Sequence, residues 1–282
     1  MTAERAGAQP GGRPGPRTYP HGVPCWVSTE QPDLDAALGF YRSLFGWEYE
    51  ERHGFGGRYV VASLGGLAVA GIGAGDRSPE WATYVAVDDV HASARGVPDL
   101  DGAVLDGPRE VGDAGEVAVV RDPQGATFRL WQAGELLGAQ RVNEPGTWNF
   151  SNLRTPDPEH ALHFYGPLLG WEVGPDLGAG MARVAGYGDH LARTVDPQIH
   201  ERQAFVPPGF ADVVAGVERD RGPARFSVVF AVAERDAAAE RAERAGGTVE
   251  ATSESPWTRE AVVRDPQGAE LVLSEFAPQG QP

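Results

Sequence analysis

"VRDPQGA" spans Val120–Ala126 and occurs again at Val263–Ala269. A strand-like run follows each copy, "TFRLWQ" after the first and "ELVLSEF" after the second. A second pair of related segments lies upstream, "LGFYRSLFGWEYE" at Leu38–Glu50 and "LHFYGPLLGWEVG" at Leu162–Gly174. Because both landmarks recur in the same order, the sequence indicates two tandem copies of one structural unit.

The spacing of these landmarks sets the predicted domain boundaries. The upstream segments are 124 residues apart and the turns 143, so the second copy holds additional residues. We assign residues 1–20 to a disordered tail, 21–138 to a first domain, 139–145 to a linker and 146–278 to a second domain, with an insertion at 198–220. A helix is expected after Gly209, either as a lid over one cavity or as a cap on a sheet edge.

Each copy alternates between strand and helix patterns. "CWVST" predicts a strand, and Asp33 and Gly46 predict the two ends of the helix that follows it. Three strand patterns come next, and the order then repeats from "WATYVAV" through a short helix after Asp89 to "TFRLWQ". Four βαβββ units in the chain predict an α+β fold. In this fold, each copy pairs two units into a sheet that curls around a cavity, with the helices on its other face.

Composition excludes several kinds of partner. The formal net charge is −16, and such an acidic surface repels phosphate backbones, so no nucleic acid partner is expected. No apolar run approaches the ~20 residues that a membrane span requires, and the first residues lack the apolar core of a signal peptide. Cys25 is the one cysteine, so no intrachain disulfide can form. We therefore expect a cytoplasmic protein that does not contact membranes and is a monomer, as a tandem pseudo-dimer, or a homodimer.

The order of the motifs resembles the vicinal oxygen chelate superfamily, which includes glyoxalases, extradiol dioxygenases and bleomycin-resistance proteins. The resemblance rests on an early strand, "PD", "FY" and "LFGW" around the first helix, a middle "VDDV" and the terminal "DPQGA". It covers roughly residues 20–278 and implies tandem glyoxalase-like domains that hold a ligand inside a U-shaped sheet. For catalytic members it also implies a divalent metal bound by His and Glu from the first and last strands of the units.

The positions that the resemblance assigns to metal ligands carry none of the expected side chains. They are Trp26, Ala82 and Arg129 in the first copy and Phe150, Ser227 and Val272 in the second. A shift of one residue exchanges the two faces of a strand, and it brings in only Cys25 as a strong ligand. Because a guanidinium at Arg129 would also repel a cation, we predict no metal, no other cofactor and no catalytic residues.

Aromatic residues near these positions suggest a different kind of site. Alternation along "TFRLWQ" puts Arg129 and Trp131 on one face, and aromatic walls with few polar groups suit a flat, partly apolar ligand. The candidate ligand-binding residues are Trp26, Ser28, Trp81, Arg129, Trp131, Phe150, Asn152 and Trp257. The alternative is that the aromatic side chains fill a collapsed sheet, although a buried guanidinium without a partner would then be costly.

Four further residues flank or lie in the predicted insertion: His190, Asp196, His200 and Glu201. Their side chains are of the types that bind metals or transfer protons, and the alternative is that they belong to a hydrated loop.

Two functions remain open. The first is a metal-independent protein that sequesters or carries an aromatic natural product, with or without a positive charge, in antibiotic resistance or biosynthesis; anthracycline accessory proteins are a further resemblance. The second is an enzyme of the same superfamily, a lyase, dioxygenase or hydroxylase, that uses relocated metal ligands or metal-free acid–base chemistry.

Overall fold

The computed structural model of the protein describes residues 15–54, 56–174, 180–204 and 206–278. The first half contains β1 (Pro24–Gln31), α1 (Leu34–Phe45), β2 (Glu48–Arg52), β3 (Tyr59–Leu64), β4 (Leu67–Ala74), β5 (Trp81–Ala86), α2 (Val90–Gly96), β6 (Ala103–Glu110), β7 (Gly115–Arg121) and β8 (Thr127–Ala133). The second half contains β9 (Trp148–Thr155), α3 (Pro158–Leu169), β10 (Trp171–Val173), β11 (Met181–Val184), α4 (Tyr187–Thr194), α5 (Ile199–Arg202), β12 (Val213–Arg219), β13 (Arg225–Ala231), α6 (Arg235–Arg244), β14 (Thr248–Glu254), β15 (Thr258–Arg264) and β16 (Glu270–Phe276).

Each half forms one eight-stranded mixed sheet. The strand order is β2-β3-β4-β1-β5-β8-β7-β6 in the first sheet and β10-β11-β12-β9-β13-β16-β15-β14 in the second. The two βαβββ units of each half meet where their first strands, β1 with β5 and β9 with β13, pair antiparallel. The predicted α+β fold of two tandem halves is therefore confirmed.

The ends of the two equivalent helices follow the sequence signals. The Asp33 side chain accepts a hydrogen bond from the Ala36 amide at the start of α1, and Asp157 does the same for α3. Gly46 and Gly170 end these helices with φ angles of 77° and 71°, in the left-handed region that favours glycine.

The helices lie between the two sheets, where they bury their apolar faces. One core cluster combines side chains of α1 and α6 with both sheets, and the other combines α2 and α3 with both sheets. At the centre, Thr83 on β5 donates a hydrogen bond to Ser151 on β9 across 2.8 Å. Each sheet thus has an inner face, which packs on helices and the other half, and an outer face turned away from them.

Side chains of the repeated DPQG turn hydrogen-bond across the interface between the two halves; we call these contacts the lock. Asp265, in the second copy, accepts hydrogen bonds of 2.8 Å from the Tyr41 hydroxyl of α1 and from the Gln31 amide of β1. Asp122, in the first copy, accepts one of 3.0 Å from Tyr165 of α3. Each turn therefore binds the "FY" helix of the other half, which explains why both motifs occur twice.

Glutamine side chains of the same turns reinforce this lock at the helix starts. Gln267 accepts a hydrogen bond from the Asp33 amide and donates one to the Asp33 carbonyl. Gln124 makes the same pair of bonds with Asp157. The motifs that identify the repeat are therefore interface residues, and their recurrence is explained by folding alone.

The predicted tail and insertion need correction. Residues 1–14 lie outside the described residues, but the last part of the predicted tail is folded: Tyr19 donates a hydrogen bond of 2.6 Å to the Ala139 carbonyl, and Thr18 bonds His190 of α4. The additional residues of the second half are α4, α5 and a short 3-10 helix at Phe210–Asp212. Residues 213–219, predicted as insertion, are instead the core strand β12, which pairs with β9. None of the described helices is long and apolar enough to span a membrane.

Candidate functional site

The two sheets have equivalent outer faces, and the two halves carry different side chains on them. Cross-strand pairing defines one row of four side chains on each face, running across the four strands around the sheet centre. We call these the first row, Trp26–Tyr84–Arg129–Val119, and the second row, Phe150–Val229–Val272–Val262.

The first outer face is filled by its own side chains. Trp26 is 2% exposed, Tyr84 6% and Trp131 2%. The Trp26 indole donates a hydrogen bond of 3.0 Å to the Tyr59 hydroxyl, which occupies the space that a Cβ at Gly71 would need. On the first outer face the aromatic side chains therefore pack against one another, as in the alternative in which they fill a collapsed sheet.

Arg129 has three hydrogen-bonding partners on that face. Its guanidinium donates to Ser28 at 3.1 Å and to the Tyr84 hydroxyl at 3.0 Å, and it pairs with Glu30 at 3.2 Å. Burial alone would lower the pKa of Arg129, but the neighbouring Tyr84 and Glu30 raise it above its ordinary value. The cost of burying this charge is therefore offset within the protein, and no ligand is needed to explain it.

The second outer face carries smaller side chains at the same places. Phe150 replaces the tryptophan that begins the first row, and Val229 and Val272 stand where the first half has Tyr84 and Arg129. Beside the row, Ser274 occupies the position that is equivalent to Trp131. The phenol, guanidinium and indole groups of Tyr84, Arg129 and Trp131 are thus replaced on the second outer face by the smaller side chains of Val229, Val272 and Ser274.

The second row is an apolar stripe with polar borders. Its four side chains cross three strand spacings, which makes it on the order of 14 Å long. Phe150 and Val262 at its ends are partly exposed, whereas Val229 and Val272 are buried. One border contains the cross-strand pair Asn152 and Ser227, and the other contains the pair Ser274 and Glu260. Such a surface can hold a flat apolar body and hydrogen-bond polar groups along its edges.

The donor set does not fit the metal that the superfamily's catalytic members bind. The residues facing each other at the sheet centres are indole, phenol, guanidinium, phenyl and valine groups, and only the phenol among them could bind a divalent ion. Cys25 is buried, which raises the pKa of its thiol, and the thiol bonds the Tyr84 carbonyl. Within the described ranges, no three His, Cys, Asp or Glu side chains are grouped to hold an ion.

Two of the eight predicted ligand-binding residues lie away from both rows. Trp81 is on the inner face, where its indole donates to the Tyr41 hydroxyl at 3.1 Å and its ring contacts Phe230. Trp257 is 50% exposed and lies between β14 and β15. On β5, Ala82 and not its neighbour Trp81 pairs with Ser28 and shares the face of that residue.

The other predicted residues form two separate groups. Trp26, Ser28, Arg129 and Trp131 lie together on the first outer face, and Phe150 and Asn152 lie on the second. Tyr84, which the sequence reasoning missed, joins the first group; alternation along "WATYVAV" from Ala82 was the signal that could have found it.

The residues that flank the predicted insertion have separate partners, and the question left open for them is answered by these contacts. His190 bonds Thr18 at 3.1 Å and stacks on Tyr187, whereas His200 bonds Asp189 at 3.1 Å. Asp196 instead pairs with Arg202. These side chains hold the additional helices and the N-terminal segment in place.

Comparison with known proteins agrees with this architecture. The family described as "Glyoxalase-like domain" matches residues 150–274, which is the second half of the chain. CFP32 of Mycobacterium tuberculosis, which has the provisional name of a glyoxylase, is 38% identical over 93% of this chain and 97% of its own length. The chain belongs to the glyoxalase-like, vicinal oxygen chelate superfamily.

Other members of the superfamily share the sequence or the fold. The anthracycline biosynthesis protein DnrV of Streptomyces peucetius is 30% identical over 90% of this chain and 94% of its own length. Two solved structures share the fold at low identity. The Mn(II)-bound glyoxalase of Novosphingobium aromaticivorans has a TM-score of 0.59 at 14% identity and covers 90% of this chain and 82% of its own. The 2,3-dioxygenase LapB of Pseudomonas sp. KL28 has a TM-score of 0.58 at 12% identity and covers 94% and 96%.

Proposed function

We propose that this protein binds a flat aromatic small molecule on its second outer face, without a metal ion. The observation that carries the proposal is the contrast between equivalent positions. Trp26, Tyr84 and Arg129 fill the first outer face, whereas Phe150, Val229 and Val272 leave an apolar row on the second. Of the predicted ligand-binding residues, the proposal keeps Phe150 and Asn152 in the second half and leaves out those that fill the first outer face.

The match to the glyoxalase-like family covers residues 150–274, the half of the chain that carries the second row. The two anthracycline biosynthesis relatives, from Streptomyces, support an aromatic natural product as the ligand and an accessory role in antibiotic biosynthesis or resistance. Sequestration or transport needs only a matching surface, and the described donor set supports no metal-assisted step.

Refilling the second outer face tests the proposal. Ser274→Trp introduces the side chain that the first half has at the equivalent position, Trp131. We expect it to weaken binding of the neutral probe 1-(2-hydroxyethylamino)anthraquinone by at least about tenfold, because the indole would occupy the space over the row. Isothermal titration measures the affinity, and circular dichroism checks that the variant is folded.

Leu105→Trp is the matched control, since it adds the same side chain at an exposed position of β6. It should bind the probe like the unaltered protein. Equal affinity of the two variants, or absence of binding by the unaltered protein, would contradict the proposal. A requirement for added Mn²⁺ or Zn²⁺ would contradict its metal-independent part.

A further inference from the structure

Glu260 is a carboxylate on the border of the second row. It lies on β15, opposite Ser274 of β16, whose hydroxyl donates to it across 3.2 Å. The Thr258 hydroxyl lies 3.5 Å from the same oxygen. Both partners are neutral, so these contacts hold the carboxylate in place without compensating its charge.

Other acidic side chains of the second outer face do have arginine partners. Glu218 pairs with Arg154 at 3.4 Å, and Glu270 pairs with Arg264 at 3.3 Å. Glu260 has no such ion pair among the residues that the structure describes, which distinguishes it on this face.

The two arginines nearest to Glu260 are engaged elsewhere. Arg259 precedes it on the strand and therefore points to the opposite face, where it pairs with Asp236 and Glu254. Arg235 donates to the main-chain carbonyl of Glu260, and its side chain pairs with the same two acids. Each guanidinium thus shares its charge with carboxylates other than that of Glu260.

An exposed aromatic side chain lies on the same face as this carboxylate. Phe276 is 62% exposed and shares the outer face of β16 with Ser274, the residue opposite Glu260. A carboxylate on one face with an exposed aromatic ring is a favourable environment for an organic ammonium group, which gains both an ion pair and cation–π contact.

We infer that the ligand of the second outer face carries an ammonium group, which Glu260 binds at one border while the aromatic body covers the row. This inference rests on the proposed function and specifies its ligand class, a flat aromatic amine. The net charge of −16 adds a long-range attraction for such a cation.

Two probes with one ring system separate this inference from the proposed function. The first is 1-(2-aminoethylamino)anthraquinone, which is cationic at pH 7, and the second is its neutral hydroxyethyl analogue. We expect Glu260→Gln to weaken binding of the cationic probe at least about fivefold, as for a partly screened charge-assisted hydrogen bond, and to leave the neutral probe unaffected. Glu270→Gln is the matched control: it removes the same charge from the same face, where Arg264 is the partner, and should change either affinity little.

The possible outcomes are distinct. If both probes bind and Glu260→Gln changes their affinities equally, or changes neither, the ammonium site is wrong and the aromatic row stands. If Glu270→Gln weakens binding of the cationic probe as much as Glu260→Gln does, the probe is attracted by the general surface charge, and the specific role of Glu260 is wrong. Absence of binding of both probes to the unaltered protein would overturn the proposed function and this inference together.

Discussion

Removing one hydroxyl from the lock between the halves has a calculable effect on stability. The Tyr41 hydroxyl is buried, donates to the buried Asp265 carboxylate at 2.8 Å and accepts from the Trp81 indole at 3.1 Å. A hydrogen bond to a charged group contributes about 1.5–3 kcal/mol, and a buried N–H without an acceptor costs about 1–3 kcal/mol. Asp265 still accepts a hydrogen bond from Gln31, so the loss of stability is smaller than the sum of the upper values. We therefore expect Tyr41→Phe to reduce the free energy of unfolding by about 3 kcal/mol.

Urea denaturation followed by circular dichroism measures this change. Tyr49→Phe is the matched control, because Tyr49 donates at 2.9 Å to the neutral Leu38 carbonyl within the same half. The control should lose only about 0.5–1.5 kcal/mol. For a chain of 282 residues, 3 kcal/mol lowers the melting temperature by roughly 5 °C. A Tyr41→Phe variant no less stable than Tyr49→Phe would refute the role of the turns in joining the halves.

Three further predictions concern the outer faces and the buried phenols. Trp26→Ala should lower the free energy of unfolding by about 3–5 kcal/mol and leave binding of the neutral anthraquinone unchanged, whereas the equivalent Phe150→Ala should weaken binding by about 1–3 kcal/mol. Titration and urea midpoints measure both effects on both variants. The reversed pattern would contradict the choice of the second face. Burial, and then the facing aspartate, raise the pKa of Tyr41 and of Tyr165. Because the folded state keeps each phenol neutral, its contribution to the free energy of unfolding is complete below pH ~10 and falls above it by about 1.4 kcal/mol per pH unit for each tyrosine. Urea midpoints between pH 9 and 11 should therefore fall less steeply with pH in Tyr41→Phe than in the unaltered protein. Equal slopes would contradict this linkage. Dialysis against EDTA should leave the affinity for the anthraquinone unchanged, and a loss that added metal restores would show that an ion takes part.

The order of elements was predictable because each signal acts locally. The caps Asp33 and Gly46 bound the first helix as expected, and alternation placed Arg129 and Trp131 on one face of β8. The offset between the two copies also pointed to additional residues in the second half. Caps and alternation depend on neighbouring residues, and the offset follows from comparing the two copies, so a single sequence contains all of these features.

The sequence alone could not predict which side chains meet on each outer face, because that depends on which strands pair and in what register. The spacing argument led to Ala82, but the pairing of β1 with β5 puts Tyr84 opposite Trp26. The buried run "VVAGV" in β12 does not alternate, so its pattern did not distinguish a strand from part of an insertion. The partner of Asp265 is distant in the chain, so the lock between the halves was likewise hidden.

A crystal structure of the protein with the neutral anthraquinone bound is the most direct test of the ligand site. The account predicts that the ring system lies across Phe150, Val229, Val272 and Val262 on the second sheet, with no metal ion between probe and protein. A probe found against the first sheet, or held through a metal ion, would contradict it.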